Sequence, residues 1–281
     1  MPLSLENVSY TYGERTPFEF KALNRLSITF KDGMITGLMG HTGSGKSTAA
    51  QMLNGLLKPS YGKVLLDGND INESKRSRYE AKFKVGLVFQ YPEYQLFKET
   101  VWEDIAYGPR NMKLGEDEVK KRVLEASELV GLDRGMLQKS PFELSGGQKR
   151  RAAIAGIIAM KPRFLVLDEP AAGLDPAGRD DILSQICEYR KNDNSSVIII
   201  SHSMEDMAKY CDEIIVMANA GVFMQGTCDE VFSNSANLTD IGLDIPQITK
   251  IVTNIREVGI DINSGIYTVD DAYNALVKLL S

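Results

Sequence analysis

Eight consecutive residues, Gly40-His41-Thr42-Gly43-Ser44-Gly45-Lys46-Ser47, could hold a phosphate chain. They fit G-x-x-x-x-G-K-[ST], whose glycines let the backbone turn so that successive N–H groups point inward at phosphate oxygens. Lys46 would reach the β- and γ-phosphates, and the Ser47 hydroxyl would serve Mg²⁺. The Lys-Ser ending separates this stretch from an ordinary glycine turn. A second group is Asp168-Glu169, at the end of an apolar run. Adjacent side chains leaving an extended strand point different ways, so two acids can take two roles. Asp168 would hold Mg²⁺ through water, and Glu169 would orient or deprotonate the water attacking a γ-phosphate. A third group is Leu144-Ser145-Gly146-Gly147-Gln148, ahead of the helix-like stretch Lys149 to Met160. Ser-Gly-Gly at a helix start exposes unpaired N–H groups and a hydroxyl, a second anion-binding cap. Lys149, Arg150 and Arg151 then lie in the first turns, where the helix dipole disfavours cations. Negative charge nearby would account for them, as would a solvated basic face.

These groups need a scaffold, and the pattern supplies one. Ile35 to Met39 is a short apolar run suited to a buried strand, and Thr48 to Leu57 reads as the helix after the phosphate loop, with Thr48 at its start. That helix aims its positive end at the same anion. Further runs recur at Val85–Phe89, Phe164–Leu167, Val197–Ile200 and Ile214–Met217, separated by helix-like segments. Strands apolar on both faces belong in a parallel sheet covered by helices, and ligands gather at the carboxyl ends of such sheets. Gln90, Asp168-Glu169 and Ser201-His202 follow three of the runs, and the phosphate loop follows Ile35–Met39. Four strand ends therefore deliver polar groups to one edge of an α/β fold.

Around this core the rhythm differs. Leu3, Leu5 and Val8, then Leu26, Ile28 and Phe30, alternate with polar neighbours and predict antiparallel strands with one wet face. Val64-Leu65-Leu66 before Asp67-Gly68 predicts another strand and tight turn. Tyr91 to Ser140 reads as mostly helical; within Glu116 to Val130, Val119, Val123, Leu124 and Ser127 recur at helical spacing. After about residue 233 the composition shifts. Pro246 opens a helix with Ile248, Ile251, Val252 and Ile255 on one face. Thr268 and Asp271 form a capping pattern ahead of a stripe of Ala272, Leu276, Val277 and Leu280. The chain thus divides into 1–232, with its helical part at about 91–150, and an α-helical extension, 233–281.

Composition agrees with a globular chain: 281 residues, 43% hydrophobic and 25% charged. No apolar stretch reaches the roughly 18 residues that span a bilayer, and Met1-Pro2-Leu3-Ser4 leads into strand-like alternation rather than a secretory signal. Cys187, Cys211 and Cys228 lack metal-ligand spacing, and their odd number argues against a disulfide framework and for a reducing compartment. A net charge of −6 argues against a general nucleic-acid binder.

The phosphate loop, Gln90, Leu144–Gln148, Asp168-Glu169, Ala172-Gly173-Leu174-Asp175 and His202 occur in the order and spacing of ABC-type ATPases. Over roughly residues 3 to 232 the chain resembles that family, and Leu-Ser-Gly-Gly-Gln is the most diagnostic part. The resemblance implies a P-loop NTPase core with an antiparallel β subdomain and a helical subdomain. It also implies a dimer with two ATPs at its interface, each held by one subunit's phosphate loop and closed over by the other's Leu-Ser-Gly-Gly-Gln. Carried over, Gln90 would sense Mg²⁺ and the attacking water. Ser145 and Gly147, with Gly146 and Gln148 between and beside them, would bind the partner's γ-phosphate. Asp175 would couple the two sites, and His202 would contact the γ-phosphate and help position the water. The family stacks an aromatic of the first β-hairpin on adenine, a role that falls to Tyr12, with Phe18 or Phe20 as alternatives.

Phe89-Gln90-Tyr91-Pro92-Glu93-Tyr94-Gln95-Leu96-Phe97 followed by Glu99-Thr100-Val101 resembles the ATPase subunits of energy-coupling factor importers. Gly40-His41-Thr42, the Thr16-Pro17-Phe18 insertion and the carboxyl-terminal extension point the same way. Tyr-Pro-Glu, rather than Asn-Pro-Asp, is more like the second of that group's two paralogous ATPases. The resemblance implies a heterodimer with a paralogue, or a self-paired dimer, that energises uptake of a vitamin or metal ion. The chain would sit peripherally on the cytoplasmic face of the cell membrane. Its partners would be a polytopic membrane coupling protein and, indirectly, a membrane substrate-binding protein, with no nucleic acid. Glu93, Glu99, Glu103 and Asp104 cluster around Tyr94, Leu96, Phe97 and Trp102, and acids rimming apolar residues suit a short helix carrying arginine. The extension would supply permanent contacts between the two ATPases. An ABC ATPase acting on nucleic acid or ribosomes, or one from another transporter group, would use the same nucleotide residues. The first usually shows a long coiled-coil insertion or two joined cassettes, and this chain has neither.

Overall fold

Every residue of the strand β3 (Ile35–Gly40) is buried, because neighbours on both edges and both faces cover it. The structure, a computed structural model, describes residues 2–193, 195–263 and 265–280, without the side chains of Asp193, Ala236 and Leu280. β3 pairs in parallel with β8 (Ser196–Ile200) and with β9 (Glu213–Ala218). β7 (Phe164–Asp168) and β6 (Val85–Val88) continue the sheet in parallel, and β10 (Gly221–Gly226) closes the other edge antiparallel to β9. The predicted parallel core is present, each strand within a residue or two of its apolar run.

A second sheet, in the order β2-β1-β4-β5, is antiparallel: β1 (Leu3–Tyr12), β2 (Phe20–Phe30), β4 (Tyr61–Leu66) and β5 (Asn69–Asp70). Asp67 and Gly68 both take positive φ between β4 and β5, which the predicted two-residue hairpin turn needs. Leu3, Leu5, Val8, Leu26, Ile28 and Phe30 share one apolar cluster with α1 (Lys46–Leu53) and one face of the central sheet. Alternation along the strands thus puts one face dry and the other wet. α1 begins two residues earlier than predicted, directly after Gly45. It ends four residues earlier, where Asn54 caps it and Gly55 turns the chain with φ +74°. α2 (Lys75–Lys84) leads into β6.

The other face of the central sheet carries the larger cluster. α3 (Val101–Asn111), α4 (Glu116–Leu129) and α5 (Gly146–Ile158) pack together there, with α6 (Pro176–Asp193) and α7 (Met204–Tyr210) beyond them. Ser127 fits the apolar stripe of α4 because its buried hydroxyl donates to the Val123 carbonyl at 2.7 Å.

After α8 (Cys228–Phe232) and α9 (Ser235–Asp240), α10 (Gln247–Glu257) and α11 (Val269–Leu280) build a third, small core. Val252, Ile262, Ile266 and Ala272 are its buried centre, with Ile248, Ile255 and Leu276 against them. Thr268 accepts from the Asp271 N–H at 3.2 Å, as its capping pattern predicts. Two stripe members are displaced, since Ile251 and Val277 are 52% and 46% exposed. The packed face of α10 follows 248, 252 and 255, which turns 251 outward. The predicted place of the Leu280 side chain lies outside the described residues. Tyr267 against Phe232, with ring centroids 5.6 Å apart, fastens the extension to the body. Among the described residues, no helix is long and apolar enough to cross a membrane.

Candidate nucleotide site

The strand order explains the site, because β3, β7 and β8 lie side by side and run the same way. The turns after them meet at one edge, and β6 adds Gln90 just beyond its end. Thr42, Gly43, Gly45, Lys46, Ser47, Thr48, Gln90, Asp168, Glu169 and His202 line one cavity of about 310 Å³, with Phe20 and Ala22 from the antiparallel sheet. Gly45 shows why that sheet matters. At φ +102°, a Cβ there would lie 2.5 Å from the Ala22 carbonyl oxygen, so the loop passes too close to β2 for any side chain.

Lys46 is buried and its ammonium donates to the carbonyls of Gly40 at 2.7 Å and His41 at 3.0 Å. Burial pushes it below the usual lysine value, while Glu169 and Asp168 pull it back up. The Ser47 hydroxyl hydrogen-bonds the Asp168 carboxylate. Burial holds Asp168 above the usual carboxylate range, against the Ser47 bond and the Lys46 charge. Glu169 is raised too, by burial and then by Asp168 beside it. Its Oε1 is shielded from solvent without a hydrogen-bond partner. Its backbone sits at φ +51°, unusual for a side chain this long. His202 Nε2 stands 3.6 Å from that oxygen, and burial and Lys46 push the imidazole below its usual value.

An orphaned carboxylate oxygen in a phosphate cradle is placed to accept a proton from water. A hydroxyl and a carboxylate in contact, with an amide nearby, form the oxygen-only set that suits Mg²⁺, which keeps waters and phosphate oxygens for its remaining positions. Ser201, which the sequence delivers with His202 but to which it assigns no role, stands by Glu169 and lowers its carboxyl. Tyr12 lies alongside the cavity, its hydroxyl 3.3 Å from Thr48 Oγ1. Phe20, one of the weighed alternatives, lines the cavity itself.

The remaining predicted residues lie elsewhere. Ser145 caps α5, as its sequence predicts, and does so in a reciprocal box with Gln148, but the Ser145–Gln148 turn does not line the cavity. Asp175 accepts the Gly178 N–H at 2.7 Å and so caps α6. The basic first turns of α5 have partners within the chain: Arg150 meets Glu93, Arg151 meets Asp181, and Lys149 lies over the Phe142 ring.

Most of the acidic cluster expected to receive the membrane partner also has partners within the chain. The Glu93 carboxylate is already taken by Arg150 and that of Glu103 by Arg110, and Asp104 accepts the N–H groups of Phe97 and Lys98. Trp102 packs half-buried against the main core. Glu99 is exposed and makes no hydrogen bond or ion pair among the described residues. Spacing alone could not show that Arg150, 57 positions further along, folds back onto Glu93.

A loop-bound phosphate cradle on a sheet of this order, with a glycine-rich helix cap held apart from it, defines an ABC-type ATPase. The ABC transporter family model matches residues 23–172. The energy-coupling factor transporter ATP-binding protein EcfA2 of Clostridium acetobutylicum is 51% identical over 281 residues, covering 100% of this chain and 98% of the relative. Its counterpart from Bacillus cereus is 44% identical over 283 residues, covering 100% and 97%. Among solved structures, cbiO1 from Clostridium perfringens, part of the ABC transporter complex cbiONQ, superposes with a TM-score of 0.75 at 37% identity, covering 89% of this chain and 98% of that one. The ATP-binding cassette MJ0796, solved as a dimer with ADP and phosphate, gives 0.72 at 27% identity, covering 80% and 98%. The chain belongs to the energy-coupling factor transporter ATP-binding proteins.

Proposed function

We propose that this chain is an ATP-hydrolysing motor subunit of an energy-coupling factor importer, peripheral on the cytoplasmic face of the membrane. It would energise uptake of a vitamin or metal ion. The observation that carries this reading is the split of its nucleotide groups. Lys46, Ser47, Gln90, Asp168, Glu169 and His202 share one cavity, while Ser145–Gln148 lies outside it, with Ser145 and Gly146 exposed. One chain therefore holds half of each of two sites, and a second ATPase, paralogous or identical, completes them. Residues 1–232 form the ATPase unit and 233–281 the extension that keeps the pair together.

In the closed pair, ATP lies along the loop from Gly40 to Thr48, whose N–H groups face its phosphates. The Lys46 ammonium turns from the Gly40 and His41 carbonyls toward the β- and γ-phosphates. Ser47, Asp168 and Gln90 would hold Mg²⁺, which supplies charge neutralisation of the phosphate oxygens. Glu169 takes a proton from the attacking water, and His202 holds the γ-phosphate and the water in place. Ser145 and Gly147 of the second ATPase cap that phosphate, and Asp175 links the two sites. Closure is driven by the higher affinity of ATP for the closed state, and hydrolysis reopens the pair.

Tyr12 stacks on adenine in this reading. Tyr12→Ala should weaken ATP binding by about 2–10-fold, the worth of one aromatic stack. An unchanged dissociation constant, with a loss on Phe20→Ala instead, would move the role to Phe20.

The membrane partner docks on the helical part. Phe83, Leu96, Phe97, Tyr107, Ala153 and Ile157 line a mainly apolar groove of about 260 Å³, with the acid Asp104 in its lining, and Tyr94, 84% exposed, and Glu99, also exposed, stand in the same chain segment. A short arginine-bearing helix fits such a groove. Purification of the tagged chain from detergent-solubilised membranes of its host tests the whole reading. A similar-sized second ATPase and a polytopic membrane protein should come with it, and Glu99→Arg should release the membrane protein only. A soluble homodimer, or one carrying nucleic acid or ribosomes, would overturn the transport assignment.

A further inference from the structure

Arg150 is a charged side chain in the second turn of α5, yet it is only 4% exposed. Its guanidinium makes contacts with two other segments. Nε and Nη2 donate to the two carboxylate oxygens of Glu93 at 3.2 and 3.0 Å. Nη1 donates to the carbonyl of Pro170 at 3.4 Å and to that of Ala172. Glu93 stands in a single helical turn, Pro92–Gln95, that follows Gln90 and Tyr91. Pro170 follows Glu169 directly.

Both segments carry backbone strain at or next to a residue that lines the cavity. Tyr91 lies at φ +57°, ψ +56°, and Glu169 at φ +51°. Residues other than glycine hold such conformations only where surrounding contacts impose them. One guanidinium supplies contacts to both segments, and it projects from the helix whose first turn is Gly146-Gly147-Gln148.

Stability alone does not explain the arrangement. Burying an ion pair sacrifices hydration, and an apolar pair of similar size would stabilise the fold as well or better. A cation early in a helix also opposes its dipole. The forked donor geometry is what these four acceptors require, since a lysine ammonium cannot span a carboxylate on one side and two carbonyls on the other.

We propose that Arg150 is a positioning residue for hydrolysis, fastening the strained turns beside Gln90 and Glu169 to the helix that presents Ser145–Gln148. The three segments then move as one unit. Resting on the docking reading above, a partner that presses on Tyr94 and Phe97 would displace Glu93 and reach Glu169 through this side chain.

Arg150→Lys and Arg150→Gln in the full-length chain test this in two ways. In the purified complex, kcat for ATP should fall roughly 10- to 100-fold, the penalty for misplacing a reacting group, with KM within about two-fold. In the chain alone with ADP, amide hydrogen exchange at Ala172 and Leu174, whose N–H groups bond within this turn, should quicken about ten-fold. Exchange along α1 should not change. Normal kcat, or faster exchange everywhere with a lowered thermal midpoint, would overturn the proposal by making Arg150 idle or merely structural. Arg150→Lys keeps the charge and guards against a variant that fails to fold. The exchange measurement needs no membrane partner, so failure of the transport reading and failure of this proposal give different results.

Discussion

Glu169→Gln should cut ATP hydrolysis about 10²–10⁴-fold while nucleotide binding stays within about two-fold. The amide fills the same space but cannot take a proton from water. Ser47, Lys46 and the loop glycines that would hold the phosphates are untouched. The same change should make the protein more heat-stable at neutral pH. Burial and Asp168 raise the Glu169 carboxyl above its usual range, so ionisation at this position disfavours the fold. For a group raised in this way, the stabilising contribution is complete below the unfolded value and is lost as pH rises through the folded one. Removing the charge should therefore raise the thermal midpoint at pH 7, with the gain shrinking toward acid. Equilibrium ATP binding, single-turnover hydrolysis and melting at several pH values check the three parts. Hydrolysis at the native rate would remove Glu169 from its role.

The second large effect is expected far from this carboxylate. Gly147→Asp should leave the single chain at least as stable and its own ATP binding unchanged, yet abolish hydrolysis at the site this turn closes, by about 100-fold or more. A Cβ at Gly146 or Gly147 would meet no heavy atom within 4 Å, and neither residue has positive φ, so nothing inside the chain requires glycine there. Replacing glycine in a helix gains up to about 1 kcal/mol, and an acid in the first turn gains about 0.3–1 kcal/mol from the dipole. What glycine does provide is an approach for something outside the chain. In the closed pair proposed above, a carboxylate at that point would face the γ-phosphate and repel it. Melting and binding on the isolated chain, beside hydrolysis by the assembled pair, separate the two effects. Unimpaired hydrolysis would mean that this turn never meets nucleotide.

The core of the site was legible because its chemistry is local. The phosphate loop, Asp168-Glu169 and Ser201-His202 each follow an apolar run directly, and the parallel sheet carries those run ends to one edge. The Ser145–Gln148 cap was legible for the same reason, as four adjacent residues satisfying one another. Illegible were the contacts that depend on which distant side chain arrives. Glu93 reads as an exposed acid until Arg150 is seen to close on it, 57 positions along the chain. Ile251 reads as part of an apolar stripe until the small partner core turns the helix so that Ile248, Val252 and Ile255 face in. Phe20 reads as one of several loop aromatics, and only the approach of β2 to Gly45 puts it beside the phosphate loop. Spacing encodes what an element can present, and the neighbours decide what it does present.

The order of strands in the central sheet also bears on how the protein is made. β3 and the phosphate loop leave the ribosome early, whereas β8 and β9, their partners on either side, are among the last strands to emerge. At a synthesis rate of about 5–20 residues per second, β3 waits on the order of ten seconds or longer for its edges to be filled. Ile35, Leu38 and Met39 spend that interval without their final cover. The antiparallel sheet and α1 can form around the loop meanwhile, since their residues are already made. The segment that recognises nucleotide is thus among the first synthesised and among the last secured, which makes its apolar strand a natural client for a ribosome-associated chaperone.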